Sequence, residues 1–114
     1  MISDGAAAVL VAAANAEVAR DSKPLARIIA SAAAGVEPKE LFIAPVLAIR
    51  RVLEKSMMLV ADIDLFEINE AFAAQMLACI RELHLDPARV NVRGGAIARG
   101  HPIAGLADAA REPS

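Results

Sequence analysis

Four apolar runs of strand length, separated by polar or amphipathic stretches, limit this chain to few architectures. Residues 6–13 run apolar around Val9 and Val11 after the turn signal Ser3-Asp4-Gly5. Residues 25–34 follow Pro24, contain Ile28 and Ile29, and end at Gly35-Val36-Glu37-Pro38. Residues 63–68 and 90–92 are the third and fourth runs. Between the first two, residues 15–21 are expected to form one or two helical turns. Pro45 suits the first position of a helix, where its missing N–H costs nothing. Beyond it Val46, Ile49 and Leu53 recur at helical spacing, with Arg50, Arg51, Glu54 and Lys55 on the other face. Residues 70–83 place Phe72, Met76, Cys79, Ile80 and Leu83 on one stripe. Strands alternating with helices in this order predict an α/β layered fold, with a mostly parallel sheet and flanking helices.

At 114 residues the chain holds one domain of ordinary size. Its hydrophobic content of 57% includes three Phe, no Tyr and no Trp, and 27 of its residues are alanine. Small side chains each bury little area, so such a core needs further layers or partners. The charge of −2 is intermixed along the chain with no basic stripe, which argues against nucleic-acid binding. Residues 5–14 have about half the length of a membrane span. Asp4 precedes them where a signal peptide carries Lys or Arg, so a buried strand is expected. Cys79 is the single cysteine, which rules out an internal disulfide and fits a reducing, cytoplasmic setting.

Two residues at strand ends, where open α/β sheets gather their chemistry, are candidates for a site. Asn69 ends the third run. Locally it reads as a helix N-cap, with Glu70 favouring the positive end of the helix dipole. With a second polar group nearby it reads as catalytic. His101 lies in Gly94-Gly95-Ala96-Ile97-Ala98-Arg99-Gly100-His101-Pro102, whose glycines allow tight turns and close backbone approach. It is either a solvated loop histidine or a general base and oxyanion donor. Cys79, on an apolar stripe, is expected to be buried and inert. His84 is expected to meet the terminal carbonyls of its helix. The glycine-rich loop matches neither a P-loop nor a dinucleotide fingerprint.

Asp64-Leu65-Phe66-Glu67-Ile68-Asn69-Glu70-Ala71-Phe72-Ala73, Val90-Asn91-Val92-Arg93-Gly94-Gly95-Ala96-Ile97-Ala98 and Gly100-His101-Pro102 resemble the thiolase family, in family order and spacing. Ser3-Asp4-Gly5-Ala6-Ala7-Ala8 and Lys23-Pro24-Leu25-Ala26-Arg27-Ile28 extend the resemblance over nearly the whole chain. It implies an acyltransferase that joins or cleaves acyl-CoA thioesters in lipid and fatty-acid metabolism. It also implies part of an α/β/α/β/α layered fold. His101 would activate the nucleophilic cysteine and help bind the thioester oxygen, Asn69 would hold a water in the same oxyanion hole, and Phe72 would line the acyl or pantetheine channel. No resident cofactor or metal is expected, coenzyme A thioesters being substrates.

The chain departs from the family in lacking both reactive cysteines, since Cys79 matches neither. Leu41-Phe42-Ile43-Ala44-Pro45 replaces a glycine-rich approach to proline, and the sequence diverges after Pro102. The expectation is a truncated or frameshifted thiolase: a remnant strand of the amino-terminal half in residues 1–14, an incomplete carboxy-terminal domain in 15–102, and a poorly ordered tail in 103–114. Such a chain would be inactive alone and would form homo-oligomers or pair with a complementary thiolase half. The alternative is a non-catalytic module that binds acyl-CoA or a thiolase subunit.

Overall fold

The computed structural model describes residues 6, 8–16 and 23–101. The tail 103–114 and most of the segment 15–21 lie outside the described residues. Three helices punctuate the described part: α1, Ala44–Ser56; α2, Ala73–Leu83; and α3, a single turn over Ala96–Arg99. Short 3-10 turns at Pro38–Ile43, Val60–Asp62 and Pro87–Arg89 connect them.

Helix α1 forms where the apolar period predicts it, with proline in its first turn and Val46 and Leu53 buried. Helix α2 buries Met76, Cys79 and Leu83 along its stripe. With Val46, Phe66, Leu85 and Val90 these residues make one core, and Ile49, Ile63, Ile68 and Ile80 pack around it. Helices α1 and α2 end the same way. Met57 (φ 56°) and His84 (φ 53°) adopt the left-handed conformation. Their N–H groups return to Glu54 and Arg81, while the N–H groups of Met58 and Leu85 return to Leu53 and Ile80. This paired closure is the Schellman motif, here without the glycine that usually relieves its Cβ crowding. His84 thus meets its helix's terminal carbonyls through its backbone N–H.

The expected sheet is the main correction. Among the described residues there is no strand. The runs 63–68 and 90–92 touch at one isolated parallel bridge, Phe66 to Val90. Phe66 N–H donates to Arg89 O (2.8 Å) and Asn91 N–H to Phe66 O (2.8 Å). Residues 8–13 and 25–34 carry the expected apolar side chains but pair with nothing in ladder fashion: Leu10 is 84% exposed and Ile28 71%. A parallel strand exists through its neighbours and through cover on both faces. Apolar content alone supplies neither. The segment 25–34 is held instead from α1, whose Arg51 and Lys55 donate to Ala33 O (2.8 Å) and Ser31 O (3.1 Å).

A second correction concerns the start of α2. The sequence predicts a helix from residue 70 with Asn69 as a possible cap. The helix begins at Ala73, its N-cap is Phe72, and no side chain caps it. Both polar backbone groups of Ile68 are engaged by the Asn91 side chain, and Phe72 is still extended (φ −147°, ψ 144°) just before the helix.

Candidate functional site

The single bridge between Phe66 and Val90 is extended by a side chain. Asn91 sits in the left-handed region at φ 46°. Its Oδ1 accepts from Ile68 N–H (2.8 Å), and its Nδ2 donates to Ile68 O (2.8 Å). The amide therefore does for Ile68 what the next residue of a ladder would do. Asn and Asp tolerate this backbone conformation better than other side chains. The same Nδ2 also donates to Glu70 Oε1 (3.0 Å).

Glu70 reaches across to the glycine-rich loop. Its Oε2 accepts from Ile97 N–H (3.0 Å), inside the single turn of α3. The carboxylate does stand at a helix start, though at α3 rather than at its own helix. It occupies the space that a side chain at position 95 would need, because a Cβ on Gly95 would collide with the Glu70 carboxylate. Gly95 is required there by close approach. Gly94 (φ 82°) and Gly100 (φ 99°) are required by backbone conformation.

The outcome is a meeting of the two candidate residues. Asn69 Nδ2 lies 3.2 Å from His101 Nε2, across a chain separation of 32 residues. With the amide donating, Nε2 presents its lone pair and the neutral ring carries its proton on Nδ1. Both side chains are exposed. An imidazole in this state can accept a proton, and once protonated it can donate to a developing oxyanion.

Phe72 lies elsewhere. Its ring packs edge-on against Phe42, with centroids 5.4 Å apart and planes at 86°. The pair lines an open groove of about 410 Å³, with Leu41, Pro45, Ala48 and Gln75 among the other lining residues. Gln75 contributes a buried Oε1 that has no hydrogen-bond partner. Cys79 is fully buried, and burial pushes its thiol pKa above 9.0 against a weaker opposing backbone hydrogen bond. Among the described residues, no group of three or more His, Cys, Asp or Glu gathers where a metal could sit. No helix among them is long and apolar enough to cross a membrane.

The sequence brings out Asn69 and His101 but not the Glu70–Asn91–Gly95 frame that holds them. Asn91 between two valines had one readable signal: a left-handed-tolerant residue directly before a glycine-rich loop.

The family model described as "Thiolase, C-terminal domain" matches residues 22–111. The chain belongs to the thiolase family. It is 50% identical over 104 residues to the 3-oxoadipyl-CoA/3-oxo-5,6-dehydrosuberyl-CoA thiolase of Escherichia coli, covering 90% of this chain and 26% of that one. A thiolase from Ascaris suum, solved in complex with coenzyme A, superposes with a TM-score of 0.75 at 49% identity, covering 79% of this chain and 24% of that one. The peroxisomal 3-ketoacyl-CoA thiolase of Saccharomyces cerevisiae superposes at 0.62 with 52% identity, covering 68% of this chain and 23% of that one. That yeast enzyme is described as a five-layered a-b-a-b-a structure built from two core domains of identical topology. This thiolase chain spans about a quarter of the length of the relatives it matches.

Proposed function

We propose that this chain carries the oxyanion-binding part of a thiolase-type acyltransferase acting on coenzyme A thioesters, and that the nucleophilic cysteine comes from outside these residues. The observation that carries this reading is the 3.2 Å approach of Asn69 to His101 in a chain of the thiolase family. Nε2 of His101 takes the proton of an incoming cysteine thiol. The thiolate then attacks the thioester carbonyl, the acyl group passes to the cysteine sulfur as the carbon–sulfur bond to coenzyme A breaks, and the leaving coenzyme A thiolate takes a proton from the imidazolium. The protonated imidazole holds the developing oxyanion, and the Asn69 amide, released from the ring, holds a water beside it. One such donor is worth about 3 kcal/mol of transition-state stabilisation.

Substrate enters beside Phe72. The groove there combines apolar walls with one unpartnered acceptor, Gln75 Oε1, which suits an amide-bearing chain such as the pantetheine arm. The nucleophile has to come from outside these 114 residues, because the one cysteine present is buried with a raised pKa.

A second reading, a non-catalytic module that docks on a thiolase subunit, draws on the exposed apolar side chains of residues 8–11 and 25–29. Acetoacetyl-CoA thiolysis by the purified chain tests whether the nucleophile comes from outside it. The expected result is no turnover above background. Turnover abolished by Cys79→Ser would contradict the reading, because it would make the buried thiol the nucleophile.

A further inference from the structure

Asn69 and His101 are 32 residues apart in sequence, and both are exposed, so one hydrogen bond of 3.2 Å is a weak means of keeping them together. Closing a loop of that length costs more than closing a short one. Glu70 supplies a second closure at almost the same place. It is the covalent neighbour of Asn69, and its Oε2 accepts from Ile97 N–H (3.0 Å), four residues before His101. Its Oε1 is fixed in turn by Asn91 Nδ2 (3.0 Å), and Asn91 is anchored on both polar groups of Ile68. The turn around Ile97 is closed by Gly100 N–H to Ala96 O (2.9 Å), directly before His101. With Glu70 in place, the ring still to be closed by the Asn69–His101 contact contains only residues 69–70 and 97–101.

We propose that Glu70 is the positioning residue of the site: its carboxylate, seated in the space left by the missing side chain of Gly95, locks the His101 loop against the segment after the Phe66 bridge that carries Asn69. This rests on the reading of Asn69 and His101 as a functional pair, but its test does not need activity. Glu70 touches neither reacting group. It acts by setting how often Nε2 of His101 is engaged by the Asn69 amide. Both carboxylate oxygens are acceptors for fixed donors, so an amide in its place keeps one contact and turns an N–H₂ towards the other donor.

The experiment is carbethoxylation of the 114-residue chain by diethyl pyrocarbonate, which attacks the lone pair of a neutral imidazole. Mass spectrometry reads modification at His101 relative to exposed His84, the only other histidine and hence an internal reference. Asn69→Ala should raise the ratio about fivefold, the population equivalent of one ordinary hydrogen bond. Glu70→Ala should raise it by a similar factor without touching the imidazole, and Glu70→Gln should fall between. Gly95→Ala should match Glu70→Ala, because the new Cβ evicts the carboxylate. Added to Glu70→Ala it should change nothing, with the far-UV circular dichroism and thermal midpoint of each variant matching the native chain, which sets the effect apart from general loss of structure. A ratio unchanged in Glu70→Ala but raised in Asn69→Ala would overturn the proposal and leave the Asn69–His101 pair standing. A ratio unchanged in Asn69→Ala would overturn both. Multiplying effects of Glu70→Ala and Gly95→Ala would also overturn it, by showing that the two positions act independently.

Discussion

Asn91 shows how much one side chain can decide. It makes three hydrogen bonds at a backbone conformation that few residues accept, and it joins the Phe66 bridge to Glu70. Asn91→Ala should therefore cost about 2–3 kcal/mol, from lost bonds, two stranded Ile68 groups and left-handed strain. Asn91→Asp should cost more, because a carboxylate would confront both Ile68 O and Glu70 Oε1. Urea unfolding of the three proteins gives that order. Cys79 lends itself to a pH test. Burial raises its pKa above 9.0, so the folded thiol keeps its proton longer than the unfolded one. That contribution is complete below the unfolded pKa and is lost as pH climbs through the folded value. Stability should thus fall above about pH 9 in the native chain, and Cys79→Ala should flatten that part of the profile. Asn69 is the residue at which local reading and structure part. Asn followed by Glu before an apolar run looks the same whether it caps a helix or closes a strand end. What separates the two is a contact from Asn91, 23 residues away at Ile68, and no local pattern encodes it.

At the level of elements, α1 and α2 were legible, while the single turn of α3 inside the glycine-rich loop and the strands were not. Val46, Ile49 and Leu53 mark the buried face of α1 by their spacing alone, because a helix satisfies its backbone internally and needs only one covered stripe. Residues 25–34 have the apolar side chains of a parallel strand, but its hydrogen bonds must come from other strands, and none among the described residues supplies them. The helix ends carry their own prediction. Met57 is 93% exposed, so replacing it sacrifices almost no packing, while its left-handed φ crowds the Cβ. Met57→Gly should stabilise the chain by about 1 kcal/mol, read as a rise in the unfolding midpoint. The same substitution at exposed Glu54, inside α1, should lower the midpoint by about as much.

At the scale of the whole molecule, the described residues form one core and leave a set of large apolar side chains exposed. One core joins α1 and α2 to Phe66 and Val90, while Val9, Leu10, Leu25, Ile28 and Ile29 are each at least 67% exposed. Edges and apolar faces of this kind recruit other surfaces. Sedimentation of freshly purified protein should show association rather than a lone 11.9 kDa species, and a monodisperse monomer with a cooperative thermal transition would contradict that. The central claim is that Asn69 and His101 are competent and short of a nucleophile. Acetoacetyl-CoA thiolysis, measured after co-expression with a polypeptide carrying the family's nucleophilic cysteine, tests it most directly. The account predicts activity that appears only in the combination. It should fall about a hundredfold or more in His101→Ala and by a smaller factor in Asn69→Ala. Equal activity in the native chain and in both alanine variants would contradict it.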